Sequence, residues 1–178
     1  MREAESSRPV TFFLSVLFVA ALTAADQWTK HLAVLHLKGA EPHVLINGIL
    51  EFRYLENRGA AFSMLQGKQF FFYILTAVFL VIAVLVLRRL PRTRHYLPVR
   101  ICLLVLISGA VGNLIDRIVQ RYVVDFIYFS IIDFPVFNVA DIYVTLSVTI
   151  LALLVLFHYK DSDFAFLKRH NGGVNTEK

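Results

Sequence analysis

Charged residues are scarce in this chain, since only 17% of its 178 residues are Asp, Glu, Lys or Arg and 57% are hydrophobic. A soluble domain of this length cannot bury so much apolar surface, so we expect lipid to be the solvent. The formal net charge of +5 does not indicate a nucleic-acid partner, because the basic residues lie between apolar runs, as in membrane proteins.

Cysteine is almost absent. The single Cys102 lies within the apolar run 101–107 and is expected to pack as a small hydrophobe. One cysteine cannot form an intramolecular disulfide, and no Cys/His spacing typical of a zinc site is present. We therefore expect no metal and no other cofactor.

Four apolar segments approach the length needed to cross a hydrocarbon core, and we predict that all four are transmembrane helices. They are 10–25, 70–87, 101–115 and 139–157. The first can also be read as a cleavable signal peptide, with Arg2 and Arg8 before it and Thr23-Ala24-Ala25 as a cleavage site. The later segments make the protein polytopic in either case.

The distribution of basic residues predicts the orientation in the membrane. They lie in the N-terminal arm, in the connection after the second segment and in the tail. These residues are Arg2 and Arg8; Arg88, Arg89, Arg92, Arg94 and Arg100; and Lys160, Lys168, Arg169 and Lys178. The positive-inside rule then places both termini in the cytoplasm and turns the connections 31–69 and 117–137 outward.

The first outward connection contains a hairpin signal, because Asn47-Gly48 separates two β-prone runs, 43–46 and 49–54. A short interfacial helix or loop is predicted at 59–65. The predicted fold class is an all-α integral membrane protein with four transmembrane helices, a small extracytoplasmic β-hairpin or sheet and a short interfacial helix. We expect one domain over 1–160, with its insertion at about 31–69, and a polar cytoplasmic tail over 161–178.

Polar residues are costly beside membrane spans, and here they cluster at the predicted outer ends. The first helix is predicted to end within 26–30 and the third within 112–117. Asp26 and Lys30 share a helix face and suit an ion pair. Asp116 and Arg117 can simply mark the end of the third helix, and Ser108 and Gly112 suit close helix packing.

Two carboxylates stand out in the second outward connection. Asn138 and Asp141 resemble a capping arrangement at the start of the fourth helix, whereas Asp125 lies in an apolar stretch and has no such local explanation. Two carboxylates that share a site hold one proton between them and can act as base and acid on a water that attacks an amide.

Several alternatives stay open on residues alone. Asp133 or Asp116 can supply the second carboxylate, and Ser63 with Lys68 can form a Ser/Lys peptidase. A small transporter or proton channel can use Asp26, Asp116, Asp125 and Asp141 as a relay. A membrane scaffold leaves the cluster of acids and asparagines unexplained.

Four blocks, in this order, resemble the lipoprotein signal peptidase (signal peptidase II) family. They are Asp26-Gln27-Trp28-Thr29-Lys30; Asn57-Arg58-Gly59-Ala60-Ala61-Phe62-Ser63; Gly112-Asn113-Leu114-Ile115-Asp116-Arg117; and Val123-Val124-Asp125-Phe126 with Phe137-Asn138-Val139-Ala140-Asp141. Arg58 departs from the small polar residue that many members carry there, and the link from Asp125 to Asp141 looks short.

The resemblance implies an aspartyl endopeptidase of the bacterial inner membrane, with its active site near the outer face. It implies cleavage of lipid-modified prolipoproteins just before a diacylglyceryl-cysteine, by Asp125 and Asp141. Membrane lipids are expected neighbours, and a monomer is expected. The residues implied to bind substrate or support the site are Asp26, Lys30, Asn57, Gly59, Asn113, Asp116, Arg117, Asn138 and Ala140.

Overall fold

The structure, a computed structural model, describes residues 2–59 and 69–167. Its helices are α1 Arg2–Leu37, α2 Gln69–Arg89, α3 Leu97–Gln120 and α4 Val139–Phe157. Within the described residues, these four helices are long and apolar enough to cross a membrane. The prediction of four transmembrane helices is confirmed, and the protein is a multi-pass membrane protein.

Two predicted helix ends are wrong. Helix α1 does not end within 26–30 but continues to Leu37, so the predicted outward connection begins inside a helix. The polar residues at 26–30 do not end the helix, because residues of α3 provide hydrogen-bond and ion-pair partners for Gln27 and Lys30. Helix α3 passes Arg117 and ends at Gln120, where Arg121 takes a left-handed conformation with φ of 64° and its N–H donates to the carbonyl of Arg117.

Helix α3 is the centre of the bundle and packs against the other three helices. Ser108 is fully buried, and its carbonyl accepts a hydrogen bond of 3.3 Å from the Thr23 hydroxyl on α1. A Cβ atom at Gly112 would overlap the carboxylate of Asp26, and one at Gly109 would lie 2.5 Å from the carbonyl oxygen of Ala140. The prediction of close packing at Ser108 and Gly112 is therefore confirmed.

Three antiparallel strands form a small sheet in the order β1, β2, β3. They are β1 His43–Ile46, β2 Leu50–Asn57 and β3 Val123–Phe129. The predicted hairpin is confirmed, and Gly48 in its turn has a φ of 70°. Strand β3 was not predicted, although its valines and aromatic residues favour extended structure. It pairs with β2 so that Leu55 lies opposite Asp125.

The sheet packs on the last turns of α1 through a small core of Ala33, Val124 and Phe126. Side chains alternate along a strand, so Asp125 points away from that core and toward the other face of the sheet. Strands β1 and β2 lie between α1 and α2 in the sequence, and β3 lies between α3 and α4. The sheet is therefore at the end of the bundle where α1 and α3 finish and α2 and α4 begin, and we call this end the sheet end.

Two predicted segments lie largely beyond the described residues. Of the predicted interfacial helix or loop at 59–65, only Gly59 is described. In the predicted tail, Asp161–Leu167 form a short 3-10 helix, and the rest of that segment lies outside the described part of the chain.

Candidate active site

Asp125 on β3 and Asp141 in the first turn of α4 line one cavity of about 1020 Å³. Asn138 joins them. Its side-chain amide donates to Asp125 Oδ1 at 2.6 Å, and its side-chain oxygen accepts from the Asp141 N–H at 3.0 Å. The Asn138 N–H in turn donates to Asp141 Oδ2 at 3.1 Å. The predicted capping arrangement is confirmed, and it holds both carboxylates at one site.

Three asparagines direct amide N–H groups at the two carboxylates. Besides Asn138, Asn57 on β2 donates to Asp125 Oδ2 at 2.8 Å, and Asn113 on α3 donates to Asp141 Oδ1 at 2.9 Å. Asp125 thus accepts one bond on each oxygen from a side-chain amide. Such bonds favour the charged carboxylate and fix its orientation.

A second cluster of charged side chains lies behind the cavity and is buried. Lys30 Nζ lies 2.9 Å from Asp26 Oδ2 and 2.9 Å from Asp116 Oδ2, and each of the three side chains is at most 3% exposed. The predicted pair of Asp26 and Lys30 is confirmed, with Asp116 as a third member. Since Asp116 bonds to Lys30 and does not line the cavity, it does not replace Asp125 or Asp141 in the pair.

The buried cluster also holds the backbone beside each cavity carboxylate. Asp26 Oδ1 accepts from the N–H of Ala140 at 2.9 Å, immediately before Asp141. Asp116 Oδ2 accepts from the N–H of Val124 at 3.2 Å, immediately before Asp125. Ala140 itself is fully buried and does not line the cavity, so it contributes to this contact through its backbone.

Arg117 lines the cavity beside the carboxylates. Its guanidinium donates to the carbonyl of Asn113 at 3.2 Å and lies over the ring of Phe72, 5.1 Å from its centroid. The Tyr73 hydroxyl donates to the carbonyl of Arg117 at 2.7 Å. Phe72 and Tyr73 were not predicted from the sequence, because aromatic residues at a helix end resemble ordinary interfacial residues.

Gln27 was also missed as a supporting residue, although it lies in the first polar block. Its amide donates to Asp116 Oδ1 at 2.9 Å and to the carbonyl of Gly112 at 3.1 Å. The signal that could have identified Gln27 is that it is a polar side chain between Asp26 and Trp28, inside a membrane helix.

Burial is the main influence on the charge of Asp125, whose side chain is only 1% exposed. Burial and, secondly, the negative charge of Asp141 raise the pKa of Asp125 to about 7, against the opposing effect of the Asn57 and Asn138 amides. Asp125 is therefore harder to ionise than an exposed aspartate.

The rest of the cavity is largely apolar. Its wall is formed by α4 and by the connection between β3 and α4. The apolar residues there are Phe129, Ile132, Phe134, Pro135, Val136, Phe137, Ile142 and Leu146. Gly59 and Arg58 lie at the cavity as well, and the Gly59 N–H donates to Asn57 Oδ1 at 3.0 Å. The cavity offers an apolar surface next to a pair of acids.

The described residues do not support the other interpretations of the sequence, namely a different second carboxylate, a Ser/Lys peptidase or a proton relay. Asp133 also lines the cavity, but it is exposed and accepts a bond of 2.6 Å from the Tyr128 hydroxyl, whereas asparagine amides orient Asp125 and Asp141. Ser63 and Lys68 lie outside the described residues. The four acids of a proton relay would have to lie at several depths, but all lie at the sheet end. Among residues 2–59 and 69–167, no three His, Cys, Asp or Glu side chains group as metal ligands.

Comparisons with known proteins agree with one another. A model of the family Signal peptidase (SPase) II matches residues 18–157. The lipoprotein signal peptidase of Streptococcus pyogenes serotype M5 (strain Manfredo) is 40% identical over 151 residues, covering 85% of this chain and 96% of that relative. The lipoprotein signal peptidase of serotype M18 (strain MGAS8232) has the same identity and coverage.

Two solved structures, both bacterial membrane enzymes studied by the in meso method, share the fold. One, at 2.3 Å resolution, has a TM-score of 0.71 and 29% identity and covers 90% of this chain and 94% of its own. The other, at 1.9 Å resolution, has a TM-score of 0.71 and 32% identity and covers 82% of this chain and 94% of its own.

Proposed function

The chain belongs to the signal peptidase II family of lipoprotein signal peptidases, and on this basis we propose that Asp125 and Asp141 are the catalytic pair with which it cleaves prolipoprotein signal peptides. One observation carries the proposal. Both carboxylates line the same cavity, and asparagine amides orient both of them.

The reaction begins with a water molecule held between the two carboxylates. Asp141 takes the proton from this water, because the N-terminus of α4 favours negative charge there. Asp125 carries the shared proton, since burial and the charge of Asp141 raise its pKa to about 7. Asp125 gives that proton to the carbonyl oxygen of the scissile amide as the water oxygen attacks its carbon.

The resulting tetrahedral intermediate then collapses. The carbon–nitrogen bond breaks as Asp141 gives the proton that it took from water to the leaving nitrogen, while Asp125 takes back a proton from one hydroxyl of the intermediate, and the new carboxylic acid is released. Arg117 lies at the cavity and can bind a carbonyl oxygen of the peptide through its guanidinium. The two carboxyl groups end the cycle with one shared proton, as they began it.

The apolar cavity wall supports cleavage just before a lipidated cysteine. Ile142 and Leu146 continue along α4 from Asp141 and offer a surface to the acyl chains of a diacylglyceryl group. A scissile bond attached to such a lipid lies near the membrane interface, at the depth proposed for the sheet end, where β3 and the start of α4 hold the carboxylates.

We place the site at the outer face of the bacterial inner membrane, with both termini in the cytoplasm. The basic residues of the connection between α2 and α3 support this orientation, because that connection lies at the opposite end of these helices from the sheet. The protein is proposed to act as a monomer, since both carboxylates and all three asparagines come from one chain.

The test is cleavage of a lipidated prolipoprotein by the purified protein in detergent, compared with Asp125→Asn and Asp141→Asn. Each substitution should abolish cleavage while circular dichroism and thermal unfolding still report a folded protein. Full activity in either variant would exclude this pair. Cleavage of the same precursor without its lipid, at an equal rate, would argue against the role of the apolar wall.

A further inference from the structure

Lys30 does not line the cavity, yet one of its hydrogen bonds leads there. Its side chain is 3% exposed and is surrounded by Asp26 and Asp116. The third bond of its ammonium group goes to Asn113 Oδ1 at 2.8 Å. Asn113 is the residue whose amide donates to Asp141, so Lys30 is one side chain away from a proposed catalytic carboxylate.

The chemistry of the two groups determines how the Asn113 amide is turned. An asparagine amide presents an oxygen acceptor on one side and an NH2 donor on the other, whereas a lysine ammonium has three donors and no acceptor. Only the oxygen of Asn113 can therefore face Lys30, and the NH2 group must face Asp141. The Asn138 amide reinforces this orientation by donating to the same oxygen at 3.2 Å.

The other two asparagines of the site follow the same pattern with neutral donors. The oxygen of Asn138 accepts from the Asp141 N–H, and the oxygen of Asn57 accepts from the Gly59 N–H. Each amide thus has its oxygen occupied by a donor and its NH2 group directed at a carboxylate. At Asn113 the closer donor is the buried ammonium group of Lys30. The ion pairs of Lys30 with Asp26 and Asp116 do not by themselves require this bond.

We infer that Lys30 is a positioning residue of the peptidase reaction, which fixes the Asn113 amide with its NH2 group toward Asp141 and so keeps that carboxylate ionised and oriented as the base. The inference rests on the proposed roles of Asp125 and Asp141. With the amide reversed, two oxygen atoms would face each other, and a proton on Asp141 would relieve the repulsion at the expense of its action as a base.

The test must separate this function from the neutralisation of Asp26 and Asp116. Lys30→Met alone leaves two buried carboxylates without a cation, which destabilises the fold whatever its effect on the reaction. The double variant Lys30→Met/Asp116→Asn keeps the cluster at a formal charge of −1, as in the wild type with Asp26, Asp116 and Lys30. Asp116→Asn alone is the matched reference, because it retains the bond from Lys30 to Asn113.

The experiment measures kcat and KM for a lipidated prolipoprotein peptide in detergent, as a function of pH. Relative to Asp116→Asn, the double variant should lose about tenfold in kcat and shift the acid limb of the kcat profile about one unit upward, since a lost bond to a charged group is of that size. KM should stay within about twofold, because binding of the lipid does not involve Asn113. Lys160→Met, at an exposed lysine beyond α4, should match the wild type.

Two results would overturn the inference. One is a double variant with the kcat and acid limb of Asp116→Asn, and the other is a kcat that falls equally at every pH, as a purely structural role would produce. If the double variant does not fold, Asn113→Asp decides, because it presents an oxygen to Asp141 in either orientation. An unshifted acid limb in Asn113→Asp would then reject the inference.

The variant Asp141→Asn distinguishes a failure of the inference about Lys30 from a failure of the proposed catalytic pair. An active Asp141→Asn enzyme would refute the catalytic pair. An inactive one, together with an unshifted double variant, would refute only the role of Lys30.

Discussion

Removing the Asn57 amide should move the basic limb of the pH–rate profile to higher pH. Asn57 donates at 2.8 Å to Asp125, whose carboxyl is 1% exposed, and this bond lowers the pKa of Asp125 against the effect of burial. Without the donor, Asp125 keeps its proton to higher pH. Because Asp125 is proposed to act in its protonated form, activity at alkaline pH should then persist.

The size of the shift follows from the strength of the bond. A hydrogen bond to a charged group contributes about 1.5–3 kcal/mol, and about 1.4 kcal/mol corresponds to one pH unit. Asn57→Leu should therefore move the basic limb from about 7, the pKa of Asp125, upward by about one to two units. Asn57→Asp keeps an acceptor for the Gly59 N–H but adds a negative charge, so its shift should be at least as large.

Initial rates of cleavage of a lipidated prolipoprotein peptide, measured in detergent from about pH 5 to about pH 9.5, give the two limbs. Lys38→Met, at an exposed residue paired with Glu56, should leave the basic limb in place. A basic limb that does not move in Asn57→Leu, or moves to lower pH, would refute the assignment of Asp125 as the acid.

Three further predictions concern packing and substrate binding. Gly112→Ala should lower the unfolding free energy by about 1–3 kcal/mol in thermal or denaturant unfolding, because the new methyl group overlaps the Asp26 carboxylate; unchanged stability would contradict the close approach of α1 and α3. Leu146→Ala should raise KM for the lipidated peptide severalfold and at most about a hundredfold, because apolar surface that would contact the lipid is lost. Leu156→Ala, outside the cavity lining, should leave KM unchanged. Equal effects of the two substitutions on KM would reject the apolar wall as the lipid surface. Tyr73→Phe should cost about 0.5–1.5 kcal/mol of stability, since its hydroxyl bond to the Arg117 carbonyl is lost; calorimetry or chemical unfolding with no change would contradict that bond.

Features set by neighbours in sequence were predictable. The hairpin of β1 and β2 follows from Asn47-Gly48, because a two-residue turn determines its own geometry. The cap at Asn138 and Asp141 also depends on residues three positions apart. The four spans follow from hydrophobic length, since backbone groups in lipid must bond within their own helix.

Features set by distant partners were not predictable from pattern. The prediction that α1 ends within 26–30 is wrong, because the partners of Lys30, Asp116 and Asn113, lie on another helix. Strand β3 depends on pairing with β2, about seventy positions earlier, as in the pair of Asn57 with Val123. Asp125 was conspicuous as a carboxylate among apolar residues, but the asparagine that faces it from β2 was implied only by the family resemblance.

The two pairs of acids at the sheet end have different surroundings, which suit the different roles proposed for them. Asp26 and Asp116 share Lys30 and bond to the N–H groups of Ala140 and Val124, each one position before a cavity carboxylate. These bonds connect the two backbone segments through a single ammonium group. The separation of Asp125 and Asp141 is therefore supported by a buried arrangement of charges behind them, in addition to Asn138, which bonds to both residues. Two like charges brought together in a cavity repel, and a support of this kind lets them share a proton without moving apart.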